Sequence, residues 1–252
     1  MTKGSPVLLV AGPESLPGAE DAIRDLNRPC TRVTPFAFEP VPVRKLRRRL
    51  QGCEPPPTTI VVTSLEASRT FLEPLATDLR GCEIIVAGPS TREHVRALGF
   101  SRVTEGRPMG ERGVVGALGH QPPRRVVYPR SDRAGSRLSR QLRSQGHTVL
   151  DLVAYRIVPR AVPRRALARL STPFTVVVSS PSAISELRRR MGVREFARFR
   201  RLARPLVFGP KTARAVRGHG LRDVRMTPAP ARDGSRDGAV LGSILRALRE
   251  ER

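Results

Sequence analysis

Two kinds of turn, each present twice, hold the residues best suited to chemistry. Val62-Thr63-Ser64 and Val178-Ser179-Ser180 each end an apolar run and lead into a helical pattern. Val86-Ala87-Gly88-Pro89-Ser90-Thr91 and Phe208-Gly209-Pro210-Lys211-Thr212 do the same. A helix N-terminus presents unpaired N–H groups and the positive end of the peptide dipoles, so turns of this composition suit a phosphate or carboxylate. Thr63, Ser64, Thr91, Ser180, Ser182 and Thr212 add hydroxyls, Lys211 adds a cation, and Gly88 and Gly209 let a ligand come close to the backbone. Taken singly, each turn reads first as a plain N-cap made by Ser64, Thr91, Ser180 or Thr212. Four such turns in matching places favour convergence on one large anion. Tyr155 stands apart, in an extended proline-ended segment where its hydroxyl can either pack or hydrogen-bond to a ligand.

Other chemistries lack their residues. His94, His120, His147 and His219 are scattered, without ligand spacing to one another or to cysteine, so no metal site is expected. Cys30, Cys53 and Cys82 are odd in number and far apart, which fits reduced thiols better than a disulfide framework. The chain has no phosphate loop, no dinucleotide Gly-x-Gly-x-x-Gly after its first strand, and no Gly-x-Ser-x-Gly elbow.

The turns need a scaffold that sets strand ends beside helix starts. Short apolar runs predict strands near 6–11, 30–35, 58–63, 83–87, 101–104, 124–129, 147–153, 174–179, 205–208 and 222–226. Helical periodicity falls near 14–27, 43–51, 65–79, 90–98, 111–119, 134–145, 162–170, 181–203 and 236–250. Gly99, Gly146 and Gly220 each follow a periodic segment, where a left-handed C-cap is expected. Runs such as Ile60-Val61-Val62 and Phe174-Thr175-Val176-Val177-Val178 are apolar throughout, as strands buried on both faces are. The fold class is α/β with parallel sheets.

The chain also repeats itself. Three features recur in order at offsets of 116, 119 and 121 residues: the Thr/Ser-Ser turn, the Val-rich first strand and the Gly-Pro-x-Thr turn. Two copies of one α/β unit are implied. Two proline-rich connectors, 37–42 and 153–160, each precede a helix and can pair as a two-stranded hinge. Residues 1–36 would then join 161–252 as one domain, with 43–152 as the other; two sequential domains meeting near 121–124 are the simpler alternative.

The chain has 252 residues and a formal charge of +24. Lysine stands only at positions 3, 45 and 211, so nearly all of the 46 basic residues are arginine. Such a bias arises from GC-rich coding as readily as from an anionic partner. Aromatics are only 4% and no basic terminal arm is present, which disfavours nucleic acid. No run approaches the ~18 apolar residues that cross a bilayer. The opening Met1-Thr2-Lys3-Gly4-Ser5-Pro6 is not a signal peptide, so a cytoplasmic protein with no membrane contact is expected.

The ordered set of motifs resembles the uroporphyrinogen-III synthase family over nearly the whole chain. The resemblance rests on Val62-Thr63-Ser64, Val86-Ala87-Gly88-Pro89-Ser90-Thr91, Gly146-His147-Thr148-Val149 leading to Val153-Ala154-Tyr155-Arg156, Val178-Ser179-Ser180-Pro181-Ser182-Ala183, Phe208-Gly209-Pro210-Lys211-Thr212-Ala213, and Ala229-Pro230 before a terminal helix. It implies two flavodoxin-like parallel-sheet domains joined by a two-stranded β-ladder, which favours the discontinuous division. It also implies a cofactor-free, monomeric lyase acting on hydroxymethylbilane, with transient contact with the upstream deaminase. The linear tetrapyrrole would lose hydroxide to give an azafulvene, close through a spiro intermediate and invert its terminal ring. Tyr155 would assist hydroxide departure. Thr63, Ser64, Gly88, Thr91, Ser180, Ser182, Gly209, Lys211 and Thr212 would bind the acid side chains. Leu65, Glu66 and Gly135 depart from the family's usual residues. A duplicated module that binds an acidic ligand or nucleic acid without chemistry is the alternative.

Overall fold

Strands and helices alternate along almost the whole chain in a computed structural model that describes residues 4–227 and 236–251. Met1–Lys3 and the Ala229-Pro230 motif lie outside the described residues. In order, the elements begin with β1 (Val7–Val10), α1 (Ala19–Arg24), β2 (Cys30–Val33), β3 (Phe36–Pro40), α2 (Val43–Gln51) and β4 (Thr59–Val62). A helical run follows, made of α3 (Leu65–Ala67), a π turn over Ser68–Leu72, a 3₁₀ turn over Glu73–Leu75 and α4 (Ala76–Leu79). Next come β5 (Glu83–Val86), α5 (Pro89–Ala97), β6 (Val103–Glu105), α6 (Glu111–Gly119), β7 (Arg125–Ser131), α7 (Arg137–Ser144) and β8 (Thr148–Pro159). The chain ends with α8 (Arg164–Ala168), β9 (Phe174–Val178), α9 (Pro181–Arg190), α10 (Val193–Leu202), β10 (Ala203–Val207), α11 (Pro210–Gly218), β11 (Arg225–Met226) and α12 (Arg236–Arg249).

These elements form two units, one of residues up to Ala37 and from Val158 onward, the other Phe38–Ile157. The first holds the sheet β11-β10-β9-β1-β2, and the second is built on β8-β7-β4-β5-β6. All recorded pairings within these two sets are parallel. In chain order the first sheet reads 2-1-3-4-5, the flavodoxin-like order; the second is the same order entered at a different strand. β3 lies beside β8, with backbone bonds from Val41 N–H to the Ala154 carbonyl at 2.9 Å and from Arg160 N–H to the Pro35 carbonyl at 3.0 Å. The proline-rich segment 37–42, read from sequence as a hinge strand, falls on a strand over Phe36–Pro40.

The apolar runs are buried on both faces. In the second unit Ile60, Val62, Ile84 and Val86 pack with Phe71, Leu72 and Leu75 on one side of the sheet. Val61 and Ile85 face Val114, Leu118, Leu138 and Leu142 on the other. The first unit centres on Leu9, Ile23, Val177, Ile244 and Leu248. Gly99, Gly146 and Gly220 have φ of +87°, +88° and +79°, the left-handed geometry that ends a helix.

Local breaks shorten several expected helices. The stretch 181–203 is two helices, because Met191 (φ −92°, ψ 141°) and Gly192 (φ −66°, ψ 162°) are extended. Glu195 restarts the helix by reaching back to accept from the Gly192 N–H at 3.2 Å. The first helix starts only at Ala19, since Glu14, Leu16 and Gly18 take positive φ. No helix among the described residues is long and apolar enough to cross a membrane.

Candidate functional site

In an open parallel sheet, ligands bind beyond the carboxyl ends of the strands where the winding direction reverses. In the second unit that point lies between β4, whose chain runs on to β5, and β7, whose chain runs on to β8. β4 leads into Thr63 and Ser64, β7 ends in Ser131, and Tyr155 stands on β8 beside it. In the first unit the same point falls between β1 and β9, where the Gly12 N–H donates to Ser179 Oγ at 3.3 Å.

Tyr155 and Ser64 form a hydroxyl pair. Ser64 Oγ accepts from the Ala67 N–H at 3.1 Å, capping α3, and lies 3.2 Å from the Tyr155 hydroxyl. The Phe38 ring meets the Tyr155 ring edge-on at 5.3 Å. Burial pushes the phenol above its ordinary ionisation range and the nearby Glu66 adds to this, while the hydrogen bond with Ser64 works against it. Tyr155 is therefore a neutral phenol at physiological pH. Thr63 Oγ1 lies 3.5 Å from the Tyr128 hydroxyl, itself pushed up by burial.

The Gly-Pro-x-Thr turns match between the units. Gly88 has φ −177° and ψ 169°, and Gly209 has φ −178° and ψ 168°. This is extended backbone open to any residue. A Cβ at Gly209 would meet nothing within 4 Å, and one at Gly88 only the Met109 Sδ at 3.9 Å. No intramolecular contact requires glycine there; the two turns leave open space over the backbone. Thr91 and Thr212 are 6% and 7% exposed, and neither hydroxyl has a hydrogen-bond partner among the described residues. Ser182 and Lys211 are exposed, and Ser180 caps α9 by accepting from the Ala183 N–H at 3.2 Å.

The residues singled out from the sequence thus gather within each unit. Val62 pairs with Val86 and Val178 with Val207, so the Thr63-Ser64 turn neighbours Gly88–Thr91, and Ser180–Ser182 neighbours Gly209–Thr212. Sequence reasoning missed Tyr128 and Ser131, which belong to no motif. It also missed a pair in each unit: Ser68 Oγ to His94 Nδ1 at 2.9 Å, and Ser185 Oγ to His219 Nε2 at 3.0 Å. Burial lowers the ionisation of both histidines, with the charges of Arg188 and Arg189 adding to the effect at His219.

Among the described residues, no group of three His, Cys, Asp or Glu side chains is arranged to hold a metal ion. A groove of about 710 Å³ lined by Ser5, Phe174, Thr175, Arg204, Arg217 and Arg225 sits at the amino ends of the first unit's strands, away from these turns.

The family model for uroporphyrinogen-III synthase HemD (HEM4) matches residues 20–235. Among solved structures the chain is similar to a mutant uroporphyrinogen III synthase from the extremely thermophilic bacterium Thermus thermophilus, at 18% identity, with 98% of this chain and 100% of that chain covered and a TM-score of 0.70. It is also similar to the uroporphyrinogen-III synthetase of Helicobacter pylori, at 15% identity, with coverage of 99% and 100% and a TM-score of 0.65. At these identities the structural likeness is one of fold. A comparison with curated proteins finds no match.

Proposed function

The chain belongs to the uroporphyrinogen-III synthase family, whose members act in tetrapyrrole and haem biosynthesis; we propose that it closes hydroxymethylbilane as a cofactor-independent lyase through Tyr155. The observation that supports this role is a buried phenol, kept protonated by that burial and held 3.2 Å from Ser64 Oγ, at a sheet's winding reversal.

The substrate is a flexible chain of four pyrroles, each bearing an acetate and a propionate. Thr63, Ser64, Gly88 and Thr91 in one unit, and Ser180, Ser182, Gly209, Lys211 and Thr212 in the other, bind those carboxylates through hydroxyls, helix N–H groups and the lysine ammonium. Holding the bilane folded brings its two ends within bonding reach, and orientation of this kind is worth about 7–11 kcal/mol of barrier in favourable cases.

The C–O bond of the hydroxymethyl group breaks with its electron pair going to oxygen, driven by the pyrrole nitrogen. Tyr155 gives its proton to the departing hydroxide, so water leaves and a phenolate remains. The substituted carbon of the terminal pyrrole attacks the resulting azafulvene and forms the spiro ring. That ring opens and recloses through the pyrrole's free α-carbon, which inverts it. The proton lost from that carbon restores the phenol, and the net change is loss of one water. The bilane also closes unaided to the non-inverted isomer, so the protein must favour one conformation and one departure.

The test supplies porphobilinogen and its deaminase and separates the oxidised uroporphyrins by isomer. Type III above background is expected, and type I alone overturns the activity. Tyr155→Phe should lower the type III rate about 10²–10⁴-fold, the usual worth of a positioned acid, with an unaltered circular dichroism spectrum. Unchanged turnover removes Tyr155 from the reaction. The reading extends to a cytoplasmic monomer that takes its substrate in transient contact with the deaminase, which sedimentation of the two proteins together checks.

A further inference from the structure

A large apolar side chain stands in the open beside the Gly-Pro-x-Thr turn of the second unit. Met109, in the loop between β6 and α6, is 68% exposed, and its Sδ lies 3.9 Å from where a Cβ on Gly88 would stand. Among the described residues the other large apolar side chains so exposed are Val193 and Met226. Met226 ends β11, where it pairs with Val207, two residues before Gly209. A single exposed apolar residue needs no explanation. Here each of the two matching turns has an exposed methionine near it.

The loop that carries Met109 is fixed by its backbone. The Gly106 N–H donates to the Val86 carbonyl at 2.9 Å and the Gly110 N–H to the Ala87 carbonyl at 2.7 Å, so both ends of the loop are tied to the segment that runs into Gly88. The Gly113 N–H donates to the Gly110 carbonyl at 3.1 Å and joins the loop to α6. None of these bonds involves the Met109 side chain. The fold therefore sets the place of the thioether and leaves its surface to solvent or a ligand.

At the start of α5 the Ser90 and Thr91 N–H groups have no preceding helical turn to donate to. In hydroxymethylbilane each carboxylate is joined to its pyrrole by only one or two methylene groups. A carboxylate seated on the 88–91 turn therefore brings an aromatic ring to the loop beside Gly88. We propose that Met109 is a substrate-binding residue whose thioether packs against the pyrrole ring of the carboxylate held at that turn. The proposal rests on the reading of the turn as a carboxylate site of the ring-closing reaction. A thioether is polarizable and attracts an aromatic ring with sulfur about 5 Å away, and its three rotatable bonds let it follow the ring as the substrate changes shape. The turn recognises the charge, and Met109 recognises the ring that carries it.

The test joins kinetics to a direct view of the side chain. Met109→Ala should raise KM about 2–10-fold with kcat little changed, the range that a sulfur–ring contact supplies. Met109→Leu keeps the apolar bulk and should recover most of the loss, whereas Met109→Glu sets a like charge beside the carboxylate and should raise KM further. Because the side chain is exposed, the melting temperatures should stay level, which a merely structural role would not allow. In protein labelled with ¹³C at the methionine methyls, Met109→Leu identifies the Met109 resonance. Saturating the unaltered chain with uroporphyrinogen III, kept reduced, should move that resonance, since nuclei close to an aromatic ring are displaced. An unmoved resonance, or an unchanged KM in both the alanine and glutamate variants, overturns the proposal. The resonance is read on the unaltered chain, so it decides the matter even where a variant folds poorly. If the unaltered chain forms no type III isomer, the reading of the turn fails and Met109 with it; if it forms type III while Met109 is silent, the error lies with Met109 alone.

Discussion

Thr91 and Thr212 have hydroxyls that make no hydrogen bond inside the protein among the described residues. Both sit in the first turn of a helix, almost buried, with no partner among the described residues. A hydroxyl there is available to donate to a ligand, and valine has nearly the same shape without it. A hydrogen bond to a charged group contributes about 1.5–3 kcal/mol. Thr91→Val and Thr212→Val should therefore each raise KM by about 10–100-fold, and since no internal bond is lost, the melting temperature should barely move. A fall in stability with KM unchanged would mean that the hydroxyls serve the fold. Cys30 illustrates the opposite influence of burial, which pushes its thiol up to about 11, helped by the charge of Glu20. At pH 8 it is almost wholly protonated and should alkylate far more slowly than a free cysteine, as peptide mass spectrometry after iodoacetamide will show.

At the scale of elements, glycines that look alike in the sequence have different tasks. Gly106 and Gly113 bring the loop before α6 against the helix itself, and a Cβ at Gly113 would overlap the Pro108 carbonyl oxygen and the Gly106 carbonyl carbon. The same loop is pinned to β5 by Gly106 N–H to the Val86 carbonyl at 2.9 Å and Gly110 N–H to the Ala87 carbonyl at 2.7 Å. Gly113→Ala should cost about 3 kcal/mol, the upper end for overpacking, in denaturant unfolding. Gly209→Ala should leave stability unchanged, because the position is extended and empty around it, yet raise KM if a carboxylate reaches that backbone. The two Ser caps differ in a related way. Ser180→Ala loses an N-cap worth about 1 kcal/mol, whereas Ser64→Ala loses a cap and a bond to Tyr155, so only the latter should also lower kcat.

Across the whole molecule, each unit carries one histidine paired with a serine between two helices, His94 with Ser68 and His219 with Ser185. Burial, the first cause at both, holds each below the ordinary histidine value of 6.5. The unfolded chain therefore binds protons more readily than the folded one as pH falls below that value. Their contribution to stability is complete above pH 6.5 and is lost as pH drops through the lower folded values. The melting temperature should be level between about pH 7 and 8 and decline toward pH 5, and His94→Gln with His219→Gln should flatten that decline. An equal acid decline in the double variant would place the sensitivity in the carboxylates instead.

What the sequence determined by itself is what depends on neighbours along the chain. The apolar runs, the serine caps at Ser64 and Ser180, and the left-handed glycines at 99, 146 and 220 each follow from residues within a few positions. So did the membership of Thr63, Ser64, Thr91 and Tyr155 in recognisable turns and segments. Tertiary structure decided which strands are neighbours, that Ser64 reaches Tyr155 across 91 positions, and that a slipped register sets Ser131 opposite Tyr155. Those contacts depend on which strand lies alongside and in what register, and that is selected by burial over the whole sheet, where no local pattern registers it.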